Sequence, residues 1–179
     1  PVMDLNLEDA DIIKVIELSS YQIEIARKMD LDIAIFLNLS NDHLTRHGGL
    51  GGYFFSKARL FLEGKSKINI IGIDQKEGRY LANSLEARHD SESEVIQIST
   101  LGPIIGSKWS VFMSNNFLIE VKAGKELFRS DLRQVLQIPG QHNKQNACAS
   151  YAACRALGVS SKNSFEKISG FRGLPHRTE

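Results

Sequence analysis

Two short aliphatic runs, Ile12-Ile13-Lys14-Val15-Ile16 and Ile33-Ala34-Ile35-Phe36-Leu37, each stop abruptly at a cluster of polar side chains. Runs of this length, rich in β-branched residues and lacking polar alternation, read as strands buried on both faces, the signature of a parallel sheet covered by helices. The pattern predicts strands over 12–18 and 33–38, with 20–29 as the crossover helix of a right-handed βαβ unit. In such sheets ligands gather beyond the carboxyl ends of the strands. The first run ends in Glu17-Leu18-Ser19-Ser20-Tyr21-Gln22-Ile23-Glu24 and the second in Asn38-Leu39-Ser40-Asn41-Asp42-His43. Carboxylate and hydroxyl oxygens are hard ligands suited to magnesium, so the two strand ends predict one shared site.

Farther along, Leu50 to Glu63 reads as a helix. Phe54, Ala58 and Phe61 lie on one face, and Gly64 stands at its stop. Lys67 to Ile73 reads as a third strand, and Gln75 to His89 as a loop and helix. From Val95 to Ile138 the texture changes to short runs, 95–98, 109–113, 117–121, 126–128 and 135–138. Asn115-Asn116 and Ala123-Gly124-Lys125 are hairpin-turn signals between them. This stretch predicts a small antiparallel sheet appended to the α/β part. After Pro139-Gly140 the helical period returns through Ala147, Tyr151 and Cys154 as far as Gly158. A short helix follows over 161–169, and then a loop tail, Gly173-Leu174-Pro175-His176-Arg177.

A chain of 179 residues, 42% hydrophobic and 24% charged, is long enough for one domain with a real core. A net charge of +1 gives no reason to expect nucleic acid or an anionic membrane as partner, and no obligate protein partner is evident. No apolar stretch approaches the roughly 20 residues a membrane helix needs. Cys148 and Cys154 are too few for a disulfide framework or a zinc site and read as buried, reduced packing residues of a cytoplasmic protein. The chain opens on Pro1 without a signal peptide, which reads as part of a longer chain.

Taken singly, the polar residues have ordinary readings. Glu17 reads equally as a solvated surface carboxylate, and Ser19 and Ser20 as helix caps. Asp42 and His43 fit either a functional loop or a helix cap. His43 and His47 stand at i and i+4, but no further ligand at zinc spacing accompanies them. Lys57 lies mid-helix among Tyr53, Phe54, Phe55, Ala58, Leu60 and Phe61, where a lysine ordinarily snorkels to water. A desolvated amine gives up its charge more readily, and a neutral amine reacts with carbon dioxide to form a carbamate, an anionic group able to bind magnesium. Gly64-Lys65-Ser66 imitates the end of a phosphate-binding loop, but Arg59 stands where that pattern needs glycine and a helix rather than a strand precedes it. Gln141 to Asn146 open a helix with amides suited to capping or to the hydrogen-bonding edge of a base.

Four segments in order, ELSSYQIE at 17–24, LNLSNDHLTRHG at 37–48, YFFSKARLF at 53–61, and GQHNKQNACA with GLPHR at 140–149 and 173–177, resemble the Mur ligase family of ATP-dependent amide-forming enzymes of bacterial peptidoglycan synthesis. Within it, the serine pair followed by Tyr-Gln-Ile-Glu is similar to the branch that adds D-glutamate. The diaminopimelate- or lysine-adding branch typically has a His soon after its serine pair. The resemblance implies a P-loop-type central ATPase domain. It puts the family's phosphate loop and first strand ahead of residue 1, and the uridine-nucleotide-binding and C-terminal domains outside the chain.

The resemblance also implies roles by position. Glu17, His43 and Lys57, the last as a carbamylated lysine, match magnesium-site positions, with Asp42 beside His43 in the catalytic group. Asn143, Asn146 and Arg177 match ATP contacts. Ser19, Tyr21 and Asn38 match substrate contacts. Asn41 departs from the acidic residue frequent in relatives before Asp-His. The implied cofactors are ATP and Mg2+, the implied substrates UDP-MurNAc-L-alanine and D-glutamate, and the implied compartment the bacterial cytoplasm. A chain without the phosphate loop is expected not to catalyse alone. A non-catalytic binding or interaction module, and a related ligase such as folylpolyglutamate synthase, are the competing readings. The Ser-Ser-Tyr-Gln run argues against the latter.

Overall fold

In the computed structural model, residues 12–40, 45–88, 93–133 and 140–171 are described. One six-stranded sheet carries the fold, its strands in sequence order: β1 (Asp30–Phe36), β2 (Lys65–Gly72), β3 (Glu94–Ser99), β4 (Trp109–Ser114), β5 (Phe117–Lys122) and β6 (Lys125–Asp131). The first four pair in parallel, and β5 and β6 continue the sheet antiparallel. The helices are α1 (Ser20–Ile25), α2 (Leu50–Leu62), α3 (Lys76–Glu86), α4 (Gln141–Ala156) and α5 (Ser161–Ser169).

Consecutive residues of the central strands serve opposite faces, as the two-residue strand period requires. Ile71 and Val95 pack with Phe54, Phe61, Leu81 and Leu85 from α2 and α3. Ile70, Ile96 and Ile98 pack with Cys148, Tyr151 and Ala152 from α4. The result is a three-layer α/β sandwich, as the uninterrupted apolar runs of its central strands predict.

Three expectations need correction. The segment 12–18 forms no strand, and Ile13 and Val15 are 67% and 91% exposed. An apolar run becomes a strand only when a neighbour takes its backbone hydrogen bonds, and β1 stands at the described sheet's edge without pairing to it. The crossover helix expected over 20–29 is the six-residue α1, which ends where Ala26 turns to extended backbone. Finally, the antiparallel strands are not a separate sheet. β3, grouped with them by its short length, pairs in parallel with both neighbours, and the direction changes only between β4 and β5. The run 135–138 lies outside the described residues.

The turns behave as read. Asn115 and Asn116 both take positive φ (48° and 66°), as do Ala123 and Gly124 (51° and 74°). Those are the paired left-handed conformations of a two-residue hairpin whose twist matches its strands. Gly64 ends α2, and Lys65 and Ser66 open β2, so no phosphate-binding loop forms there. Cys148 is fully buried and Cys154 half-buried, both unpaired; burial pushes the Cys148 thiol up to about 12. Among the described residues no helix is long and apolar enough to cross a membrane.

Candidate functional site

The site is built where α1 meets the start of α2. Ser19 caps α1 through a reciprocal box. Its hydroxyl accepts from the Gln22 amide, and Gln22 Oε1 accepts from the Ser19 N–H at 2.8 Å. This box fixes the entry of the chain into α1 and lays Glu17, Leu18 and Ser19 along an open groove of about 350 Å³. Ser20 and Gln22 of α1 and Tyr53 and Lys57 of α2 complete its lining. Thus Glu17, Ser19 and Lys57, picked from segments 40 positions apart in sequence, share one concavity.

Two devices hold α1 on α2. At one end Arg59 of α2 donates to the carbonyls of Ile23, Glu24 and Ala26, satisfying groups that a short helix leaves open at its C-terminus. At the other end stands His47, its side chain only 1% exposed. Ser20 Oγ lies 3.0 Å from its Nε2, and Ser56 Oγ and Glu24 Oε1 lie 3.1 and 3.0 Å from its Nδ1. The Ser56 hydroxyl proton is given to Glu24 Oε1 at 2.8 Å. Nδ1 therefore carries hydrogen and donates, while Nε2 and the Ser20 hydroxyl share the bond on the other side of the ring. The ring is stacked between Tyr21 and Tyr53, with centroids 5.6 and 5.3 Å away. The Ser56 hydroxyl, and after it His47 and Arg46, hold the Glu24 carboxyl below its ordinary range against a smaller opposing effect of burial. Arg46 also lies 4.8 Å over the Tyr21 ring.

Tyr21 therefore packs against His47 and Arg46 and is not part of the groove lining. Lys57 Nζ lies 5.1 Å from the Tyr53 ring centroid, a cation–π distance. Asn38 leaves the end of β1 and donates to Gln145 Oε1 of α4 at 2.7 Å. The Gln75 side chain brackets Leu39, accepting from its N–H at 2.7 Å and donating to its carbonyl at 3.1 Å. The polar segment after β1 is thereby held by residues from both helical layers. Asn143 and Asn146 stand near the start of α4, half-buried and exposed respectively. Asp42, His43 and Arg177 lie outside the described residues.

Among the described residues no group of three His, Cys, Asp or Glu side chains forms a metal cluster. The groove's donors nonetheless suit a hard cation: the Glu17 carboxylate and the Ser19 and Ser20 hydroxyls are all oxygen ligands. An ammonium at Lys57 would repel the cation, and a carbamate there would add oxygen.

Sequence reasoning weighed His47 only as a zinc partner of His43 and Gln145 only among the amides of 141–146, and gave no role to Gln75 or Arg59. The four side chains bridge elements distant in sequence, and only a signal of spatial contact would have found them.

A family profile described as Mur ligase middle domain matches residues 3–154. The chain is 46% identical over 178 residues to the UDP-N-acetylmuramoylalanine--D-glutamate ligase of Roseobacter denitrificans, covering 99% of this chain and 38% of that protein. The protein of the same name from Ruegeria pomeroyi is 44% identical, and that of Jannaschia sp. 46% identical over 171 residues. The chain thus spans little more than a third of the length of the curated relatives it matches.

Proposed function

This chain belongs to the Mur ligase middle-domain family, and from that premise we propose that it is part of the ATP-using central domain of a ligase joining D-glutamate to UDP-MurNAc-L-alanine. The uridine-nucleotide-binding and C-terminal domains are assigned to the remainder of the longer protein. In this reaction ATP phosphorylates the terminal carboxylate of the alanyl substrate, and the D-glutamate amine then displaces phosphate to form the amide.

The observation that carries this reading is the common groove of Glu17, Ser19 and Lys57 between α1 and α2. Phosphoryl transfer depends on positioning and on neutralising charge rather than on covalent help from the protein. Glu17, His43 and a carbamylated Lys57 are the residues proposed to hold magnesium, which supplies that neutralisation. Ser19, Tyr21 and Asn38 are assigned to the substrate side. Ser19 lines the groove directly. Tyr21 acts from behind it by packing on His47, and Asn38 by its bond to Gln145. Asn143, Asn146 and Arg177 are assigned to the nucleotide. The amides near the start of α4 fit this, since Asn supplies a donor and an acceptor together. Asp42 is assigned to support His43. The proposed setting is the bacterial cytoplasm.

The test is phosphate release from ATP by the full-length protein. UDP-MurNAc-L-alanine is supplied with D-glutamate, and separately UDP-MurNAc-L-alanyl-D-glutamate with diaminopimelate or lysine. Turnover with D-glutamate alone is expected. Turnover only with the later acceptor would move the assignment to another ligase of the family, and none with either would favour a binding module.

A further inference from the structure

We propose that His47 is a positioning residue for the groove, setting Ser20 and Tyr53 in its wall and, through Tyr53, the amine of Lys57. The inference rests on the ligase reading for its meaning in catalysis, but its geometry stands apart from it.

The imidazole is buried, and all of its polar capacity is used across two helices. It meets Ser20 of α1 on one nitrogen and Ser56 of α2 with Glu24 of α1 on the other. A histidine that merely filled space would not need both nitrogens matched to partners on separate elements. Two of the groups it touches, Ser20 and Tyr53, themselves line the groove. Tyr53 stacks on the imidazole and also sits beneath Lys57 Nζ. A shift of the imidazole therefore reaches Lys57 through a single ring.

The backbone is arranged for this placement. Gly48 and Gly49 take positive φ of 67° and 113° between His47 and α2. A Cβ at Gly52 would lie 1.8 Å from the His47 carbonyl oxygen. Glycine at 52 thus lets the His47 backbone lie against the first turn of α2, where a side chain would force it away. Within the glycine-rich stretch 48–52, which carries no phosphate-loop pattern, Gly52 is the residue whose missing side chain seats this histidine.

The experiment uses the full-length protein with His47→Phe, which keeps a stacking ring and removes the hydrogen bonds, and His47→Gln, which keeps hydrogen-bonding capacity without the ring. Displacements near 1 Å in a reaction geometry lower turnover by up to about 100-fold. His47→Phe is therefore expected to lower kcat by about 10- to 100-fold while leaving the KM for ATP unchanged, with His47→Gln recovering part of the loss. A structural role alone would lower the melting temperature and the active fraction while leaving kcat per folded molecule, counted by active-site titration, unchanged.

An arm independent of activity measures acetic anhydride labelling of Lys57 relative to Lys125, by peptide mass spectrometry in buffer purged of carbon dioxide. The ratio is expected to change in His47→Phe. Should His47→Phe fail to fold, Gly52→Ala is read by the same two criteria. Unchanged kcat, or an unchanged labelling ratio, in a folded variant overturns the proposal. A wild-type protein without turnover would instead sink the ligase reading, and the labelling ratio would still decide whether His47 positions Lys57.

Discussion

Asn38 and Gln145, 107 positions apart in the chain, share a 2.7 Å hydrogen bond in which the Asn38 amide donates to Gln145 Oε1. Gln145 uses its own amide to donate to the Leu37 carbonyl at 3.0 Å. One buried side chain near the start of α4 thereby holds two consecutive residues at the end of β1. Asn143 and Asn146, proposed for the nucleotide, flank it in the helix, so a single side chain joins the start of α4 to the strand end that leads to Asp42 and His43. Gly72 makes room for the contact. A Cβ there would lie 2.1 Å from the Leu37 oxygen and 2.9 Å from Gln145 Nε2.

Gln145→Ala removes both bonds and is expected to lower stability by about 1–2 kcal/mol, roughly the net worth of two hydrogen bonds, since the exposed Asn38 amide can turn to water. Gly72→Ala is expected to be worse, because it opposes backbone as well as the amide. Urea denaturation of both variants checks the order. A Gly72→Ala protein as stable as wild type would refute the account of this junction.

Lys57 is the residue whose modification matters most to the proposed chemistry. In the full-length protein Lys57→Ala is expected to abolish turnover, and an excess of a small carboxylate such as acetate is expected to restore part of it by replacing the carbamate's oxygens. A folded Lys57→Ala protein that acetate does not rescue would count against the carbamate. Glu17→Ala is expected to raise the magnesium concentration needed for half-maximal activity, read from a magnesium titration.

Glu24 gives the α1–α2 junction a dependence on acid. Its carboxyl is held below its ordinary 4.5, first by the Ser56 hydroxyl and then by His47 and Arg46. A depressed folded-state value means that the contribution is complete above the unfolded value and is lost as pH falls through the folded one. Glu24→Gln should therefore lower stability near neutrality, where this contribution is complete, and flatten its decline as pH falls below about 4.5. Thermal melts across that range test this, and an unchanged acid slope would show that the ion pair is idle.

The far side of the sheet holds a buried carboxylate that the proposed reaction does not use. Glu120 is fully buried. It accepts from Trp109 Nε1 at 3.1 Å, from the Tyr151 hydroxyl at 2.7 Å and from Arg155 Nε at 2.9 Å. Burial, with the adjacent Glu120 carboxylate, holds the Tyr151 hydroxyl well above its usual range. Removing the only cation that the carboxylate contacts among the described residues leaves a buried charge, so Arg155→Met is expected to destabilise by about 3 kcal/mol. Chemical denaturation measures it. A loss below about 1 kcal/mol would mean that solvent reaches Glu120 after all.

The sequence by itself determined the layers and the neighbourhood of the site. The apolar residues of β2 and β3 are buried on both faces as central strands. Helical periodicity around Phe54, Ala58 and Phe61 fixed the face of α2. The paired left-handed residues at Asn115-Asn116 and Ala123-Gly124 fixed the hairpins, because in each case the information is local. The resemblance to the Mur ligases implied roles at one site for Glu17, Ser19 and Lys57, and the groove lined by all three lies between α1 and α2.

The tertiary structure decided what depends on partners. The run 12–18 has the composition of a strand but no described neighbour to share its hydrogen bonds. β3 has the length of a hairpin strand but pairs in parallel on both sides. His47 and Gln145 look ordinary in sequence, and their roles come from Ser20, Tyr53, Leu37 and Asn38, residues that approach them only after α1, α2, α4 and the sheet have packed. A hydrogen bond between distant segments leaves no periodic trace in the chain, so these contacts were decided by the fold.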